Sequence, residues 1–575
     1  MKVAAAIAGH DLRAMLQEFQ LAAQRQDFAR LRILLRELLV LPATNGKLRV
    51  QVLLFYTQHV GSQTALTIEE LEFCAEMARL LGPSETEFTA AAIGILQNLR
   101  LDAMTDYPRA KDIFAHLAVP LLRHAVAQKF FDTAVQLEAF LYYAYCRSVE
   151  DRGHFGHFWD EIRPLMLSVG TALGGPLPDR PRNARPHVVF LIQKATGLAH
   201  EEVLCNLLTG WSRLDDKPFD ATVLYLMGDE NDAGAEATMA ATGCSIRKMN
   251  LELKTFGSKG ITALRQHMAE IGADVVVQVS VTTLLYPIFA ARVAPVQIFW
   301  AMKYHAVEAA CIDGYITGSS LSKFRQVDGR TWRACLGGYV RLTAPEHAAA
   351  AAGLAAKIRD SFGGPDAVIV GSLGREQKLN SPPFLEAVAR VMQRCPNMIF
   401  LWTGRSQPPA INRLFIEHGV ANRALHIGWV DTRLWGQVLD VFADSFPLGS
   451  GLTLYQAMAA GKAAVFFDSP EAREMGLNQV ILDALEDEAE EGEQMRRIYK
   501  PGGDLLYLCA ADAAAYERNL EQVVRDAGLR ARIGAANRQF VAGYLENTER
   551  MARVFASHIA EILNEKSMSV AGRAS

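Results

Sequence analysis

From residue 187 onward, short β-branched and aromatic runs alternate with longer stretches of helical periodicity. That alternation restricts the chain to parallel sheets covered by helices. HVVFLIQ (187–193), ATVLYLM (221–227), DVVVQV (274–279), VQIFW (296–300) and residues 314–317 read as the strands of one doubly wound unit. AVIVG (367–371) and residues 398–403, 424–429, 441–445 and 463–467 read as the strands of a second. Most of these runs are apolar on both faces, as strands buried between two helical layers must be. The alanine-rich stretch 346–359 between the units reads as a connecting helix.

Residues 1–173 have a different texture, helix after helix. Thr67 to Glu70 and Ser84 to Glu87 are capping boxes, each opening a run of helical spacing. FFDTAVQLEAFLYYAY (130–145) is apolar nearly all round and reads as a central helix. A Gly/Pro-rich linker covers 174–186, and a final helix over 547–563 carries Met551, Val554, Phe555, Ile559 and Ile562 on one stripe. The expected organisation is an all-α domain (1–173), a linker (174–186), a first Rossmann-like domain (187–345), a connecting helix (346–365) and a second Rossmann-like domain with a C-terminal helix (366–575). Two such domains in succession, joined by a helix, describe the α/β architecture called GT-B, with a ligand cleft at the strand C-terminal ends.

Composition narrows the function. With 59 Lys+Arg against 63 Asp+Glu the formal charge is −4, so no basic excess is present to hold a nucleic acid. The 8 cysteines are scattered, never CxxC, and form neither a disulfide framework nor a zinc site. No metal site is expected. Neither a signal peptide nor a transmembrane segment is evident, which predicts a soluble, cytoplasmic protein.

Two segments carry chemistry. In SFPLGSGLTLYQAMAAGKAAVFF (445–467) a strand ends, a Gly-rich turn follows, and a helix starts near Leu452. Gly449, Ser450 and Gly451 let backbone amides approach a ligand closely, and the helix start adds partial positive charge, a combination suited to a pyrophosphate. Thr453 adds a hydroxyl donor, and the Gln456 amide lies one turn on, in reach of ribose hydroxyls. An ordinary βα turn carries the same glycines. In VGSLGREQKLNSPPFLEAVARVM (370–392) the corresponding turn bears Arg375 and Lys378, two cations able to neutralise a leaving diphosphate. Trp429 follows the strand at 424 and reads either as a wall for a base or as a core residue. On the first unit, His200 follows the first strand, and Lys303 and His305 follow the strand at 296. A histidine at either place suits proton acceptance from an acceptor or a hydrogen bond to a sugar hydroxyl.

Taken together, APVQIFWAMKYH, QKLNSPPFLEA and SFPLGSGLTLYQAMAAG resemble glycosyltransferase family 41, and more closely its bacterial cytoplasmic adhesin N-glycosyltransferases than its O-GlcNAc transferases. The resemblance implies inverting, metal-independent transfer of a hexose from a UDP-sugar to a polypeptide side chain, asparagine in preference to serine or threonine. No cofactor is implied, because the UDP-sugar is itself the substrate. By position, Lys378 would bind the diphosphate, Thr453 the phosphate at the helix start, Gln456 the ribose in place of an aspartate, and His305 would lie beside the donor sugar. The paired glutamates of retaining GT-B enzymes would fall at Leu448 and Gln456 and are missing. Two alternatives stand beside this reading: a GT-B transferase acting on a glycan or lipid-linked acceptor, and a non-catalytic GT-B-like scaffold.

Overall fold

The computed structural model describes residues 2–574 except 43, 62–66, 82–83, 100–106, 147–151, 178–182, 280–282, 302–306, 319–323, 328–329, 363, 448, 469–489 and 501–507. The chain forms two compact units.

The first comprises Met1–Asp179 together with Leu251–Ile271 and Thr282–Ala294. Both N-caps form: the Thr67 hydroxyl accepts from Glu70 N at 3.3 Å, and the Ser84 hydroxyl from Glu87 N at 3.4 Å. They start the helices Ile68–Arg79 and Glu85–Asn98. The apolar run forms the helix Phe131–Cys146, and its two acids recruit the distant segments of this unit. Asp132 accepts from Ser258 N at 2.7 Å and from its hydroxyl at 2.6 Å. Glu138, fully buried, accepts from Leu284 N at 3.1 Å, where Leu284 takes φ +67 before the helix Leu285–Ala290. That helix lies so close to Arg152–Leu173 that a Cβ on Gly170 would stand 2.4 Å from the Pro287 carbonyl.

The second unit holds two parallel sheets. The first has β1 His187–Ile192, β2 Asp220–Tyr225, β3 Ser245–Lys248, β4 Val275–Val279, β5 Val296–Ala301, β6 Gly314–Thr317, β7 Phe324–Val327 and β8 Arg330–Ala334, in the order β3-β2-β1-β4-β5-β6-β8-β7. Only the β7/β8 pair is antiparallel. The second has β9 Val368–Ser372, β10 Met398–Trp402, β11 Ala424–His426, β12 Val441–Ala443, β13 Ala463–Phe467 and β14 Leu508–Ala510, in the order β11-β10-β9-β12-β13-β14. Each thus contains a 3-2-1-4-5-6 parallel core, whose strand order reverses between the first and fourth strands. The reversal lies between β1 and β4 in one sheet and between β9 and β12 in the other. Chain pairing there is in register over Val188↔Val275 and Val441↔Val370.

Strands β3, β7, β8 and β14 have no counterpart in the sequence reading. Three of them are at or beside a sheet edge in polar segments such as SIRK and FRQV, and β14 is three residues long. An edge strand needs no apolar alternation, so the signal is absent. Strand β11 stops at His426, short of the expected 429, because Gly428 turns the chain with φ +75.

The connecting helix is Ala348–Phe362. The final helix, Thr548–Ala574, returns across the unit to the first sheet. There Phe555 packs on Phe190, Phe219 and Trp300, and Lys566 pairs with Asp313 at 2.6 Å. Among the described residues no helix is long and apolar enough to cross a membrane. None of their His, Cys, Asp and Glu side chains cluster in threes suited to a metal ion.

Candidate functional site

The turn after β9 and the turn after β12 flank the second sheet's reversal point, where doubly wound sheets take their ligands. The first turn runs into the short helix Glu376–Leu379, with Arg375 at its N-cap and exposed. Its backbone is fixed from β10: the Thr403 hydroxyl accepts from Gly374 N at 2.8 Å and donates to Gly374 O at 2.7 Å. Glu376 clamps the neighbouring loop, accepting from Arg405 N and from the Ser406 hydroxyl, each at 3.0 Å.

The second turn is organised by Asp444, which is 1% exposed and accepts from Ser450 N at 2.7 Å. Burial pushes its carboxyl up to about 7, while the Ser450 amide and the Lys378 charge pull it down. Gly449 and Ser450 are buried, Gly451 is exposed at the N-cap, and the helix Leu452–Ala459 begins where the glycines predicted. Lys378 joins the two turns by donating to the Gly449 carbonyl at 2.8 Å. The structure therefore brings Lys378, Gly449, Ser450, Gly451 and the helix start together, with Arg375 on the same turn as Lys378. A cation held beside the start of a helix is an arrangement chemically suited to a diphosphate.

Thr453 and Gln456 occupy the same helix but face protein partners. The Thr453 hydroxyl donates to Leu373 O at 2.6 Å, a second tie between the turns. Gln456 is buried, and its amide oxygen accepts from the Thr432 hydroxyl at 2.7 Å. Trp429 is 59% exposed beyond Gly428, with the Arg405 guanidinium 4.8 Å from its ring centroid. It is a surface indole, not a core residue, and offers a face to a planar group.

On the first sheet, His200 opens the helix Ala199–Arg213 after β1. Its Nε2 lies 3.6 Å from Glu201, and burial holds its pKa below the ordinary value against the pull of that carboxylate. Glu201 is itself buried and grips the loop: it accepts from Thr196 N at 2.8 Å, the Thr196 hydroxyl at 2.5 Å and Gly197 N at 2.9 Å. Next to it, Glu202 pairs at 2.8 Å with Arg433, which belongs to the second half. Lys303 and His305 lie outside the described residues.

Sequence reasoning passed over Asp444, Thr403, Glu376 and Thr432. Asp444 ends a strand directly before the Gly-rich turn, and that position was the one available signal. The others are polar residues in loops or helix starts, whose partners are distant in sequence.

Residues 364–500 match the family model "Glycosyl transferases group 1". No curated protein sequence matches the chain. Among solved structures, a mutant form of an O-GlcNAc transferase of Thermobaculum terrenum is similar at 14% identity over 99% of both chains, with a TM-score of 0.54. A glycosyltransferase of Rickettsia africae is similar at 12% identity over 66% of this chain and 99% of its own, with a TM-score of 0.46. The two parallel sheets and the likeness to the Thermobaculum terrenum structure give the chain the GT-B fold behind an all-α N-terminal region, and its residues 364–500 are similar to the group 1 glycosyltransferases.

Proposed function

We propose that this protein transfers a hexose from a UDP-sugar to a side chain of a polypeptide, with inversion at the anomeric carbon and without a metal. The observation that supports this most directly is the Lys378 ammonium held on Gly449 O beside the start of the helix Leu452–Ala459. In displacement from a nucleotide sugar, charge develops on the leaving diphosphate. Lys378, Arg375 and the amides of 451–453 would take it up, and one such donor contributes about 3–4 kcal/mol in other enzymes. Trp429 and Arg405 would flank the base. The acceptor attacks from the opposite face, its new bond to the anomeric carbon forming as the carbon–oxygen bond to the diphosphate breaks. His200, kept neutral by burial, suits proton acceptance from a hydroxyl acceptor. Asparagine is the preferred acceptor on motif resemblance, serine or threonine the second, and the cytoplasm the expected place of work.

The test is intact-protein mass spectrometry of candidate acceptor polypeptides incubated with UDP-glucose, UDP-galactose or UDP-GlcNAc, with and without EDTA. A mass gain of one hexose or N-acetylhexosamine, insensitive to EDTA and lost in Lys378→Ala, supports the proposal. Transfer only to a glycan or lipid, or no turnover of any donor, overturns it.

A further inference from the structure

The stretch YQAMAAGK contributes a residue that the donor turns do not use. Lys462 follows Gly461 (φ +71) and directly precedes β13, at the edge of the second sheet where the strands begin, opposite the donor turns. A cavity of about 770 Å³ opens there. One wall is the alanine face of the connecting helix Ala348–Phe362. The rim includes Thr343 and Pro345 on one crossover between the α/β halves, and Val541, Ala542 and Glu546 on the other. The two crossovers are stitched together by Leu342 N to Glu546 at 3.3 Å and Tyr339 N to Leu545 O at 2.6 Å.

The charges in this cavity are unevenly matched. Three cations line it, Arg359, Lys462 and Arg538, with two carboxylates, Asp440 and Glu546. Asp440 is already engaged, both its oxygens accepting from Arg359 Nη2 at 2.8 Å and one also from Ile369 N at 2.8 Å. Glu546 is exposed on the crossover and accepts from Leu342 N. Arg538 donates to the Ala460 carbonyl at 3.1 Å, a neutral partner. The Lys462 ammonium meets no carboxylate and no hydrogen-bond acceptor among the described residues. Burial lowers its pKa, Arg359 and Arg538 push the same way, and Asp440 opposes them from beyond ion-pair range. A half-buried ammonium without an anion carries a desolvation cost, and an anionic occupant offsets it.

We infer that this cavity is a second binding site, for a small phosphate ester seated with its phosphate on Lys462 and Arg538 and its apolar side on the alanine face. The guanidinium fork and the lysine point charge together suit a tetrahedral dianion. An occupant touches both crossovers, the segments that join the α/β halves.

The test is calorimetry on the full chain in chloride buffer, with inorganic phosphate and glucose 6-phosphate as probes, in the parent, Lys378→Ala and Lys462→Met. Expected is binding that persists in Lys378→Ala and weakens at least about tenfold in Lys462→Met. Binding lost in Lys378→Ala, binding undiminished in Lys462→Met, or no binding of either probe at millimolar concentration overturns the inference. A measurement on the parent chain covers the case in which Lys462→Met fails to fold. Glucose 6-phosphate should slow acetylation of Lys462, read by peptide mass spectrometry, and unchanged labelling overturns the inference equally. None of these readouts needs turnover, so they stand or fall apart from the proposed transfer reaction.

Discussion

The Lys378 ammonium donates to the carbonyl of Gly449 across 2.8 Å, bridging the two turns that flank the reversal point of the second sheet. The cation is thereby positioned before any ligand arrives, and positioned charge stabilises a leaving group without reorganisation when the bond breaks. Lys378→Ala should lower kcat/KM for transfer by about 10²–10³-fold while leaving the thermal midpoint nearly unchanged. Steady-state kinetics alongside a melting curve checks both halves of that statement.

Asp444 adds a pH dependence to the same pocket. Its carboxyl, raised to about 7 by burial, is neutral at lower pH and negative above. A diphosphate is repelled by the negative form, so donor binding should weaken in the parent as pH rises through about 7. Asp444→Asn keeps an oxygen to accept from Ser450 N but cannot ionise. The ratio of UDP affinities, variant over parent, should therefore climb with pH in calorimetry between about pH 6 and pH 8. A constant ratio would show that Asp444 does not titrate there.

Glu138 makes a parallel prediction for stability. Burial raises its carboxyl from the ordinary 4.5 to about 8, with the Leu284 amide opposing. Between those values the folded chain binds a proton that the unfolded chain has lost. Stability from this group is complete below the lower value and falls as pH rises, by up to about 1.4 kcal/mol per pH unit, until the upper value is passed. Glu138→Gln should therefore gain on the parent in denaturant unfolding as pH is raised from about 5 to about 8.

A fourth prediction concerns the return of the final helix. A Cβ on Gly210 would stand 2.0 Å from the Thr548 carbonyl, which is backbone and cannot rotate away. Gly210→Ala should cost about 1–3 kcal/mol of stability, measured by chemical denaturation. Gly353→Ala, whose Cβ meets nothing within 4 Å, is the control and should be neutral or slightly stabilising.

The residues legible in sequence were those whose role is local. Ser450 and Gly451 announce the helix at Leu452, and the two-faced apolar runs announce the central strands, because both signals rest on neighbours along the chain. Thr453 was read as a donor to a ligand, yet its hydroxyl reaches Leu373 O on the opposite turn. Gln456 was read as facing a ribose, yet its oxygen takes the Thr432 hydroxyl. Nothing local says that Asp444 is buried near Lys378, or that Asp132 and Glu138 recruit residues 258 and 284 into the helical unit. Those facts arise only when distant segments meet.

The return of Thr548–Ala574 to the first sheet has a consequence for how this protein is made. Phe190, Phe219 and Trp300 emerge from the ribosome long before Phe555, which packs against all three. The first α/β half therefore carries an open apolar face throughout synthesis of the second, and closes only when the last helix appears. A ribosome stalled anywhere between residues 345 and 547 holds a nascent chain whose earlier half cannot yet be finished, so chaperone occupancy should concentrate on that interval.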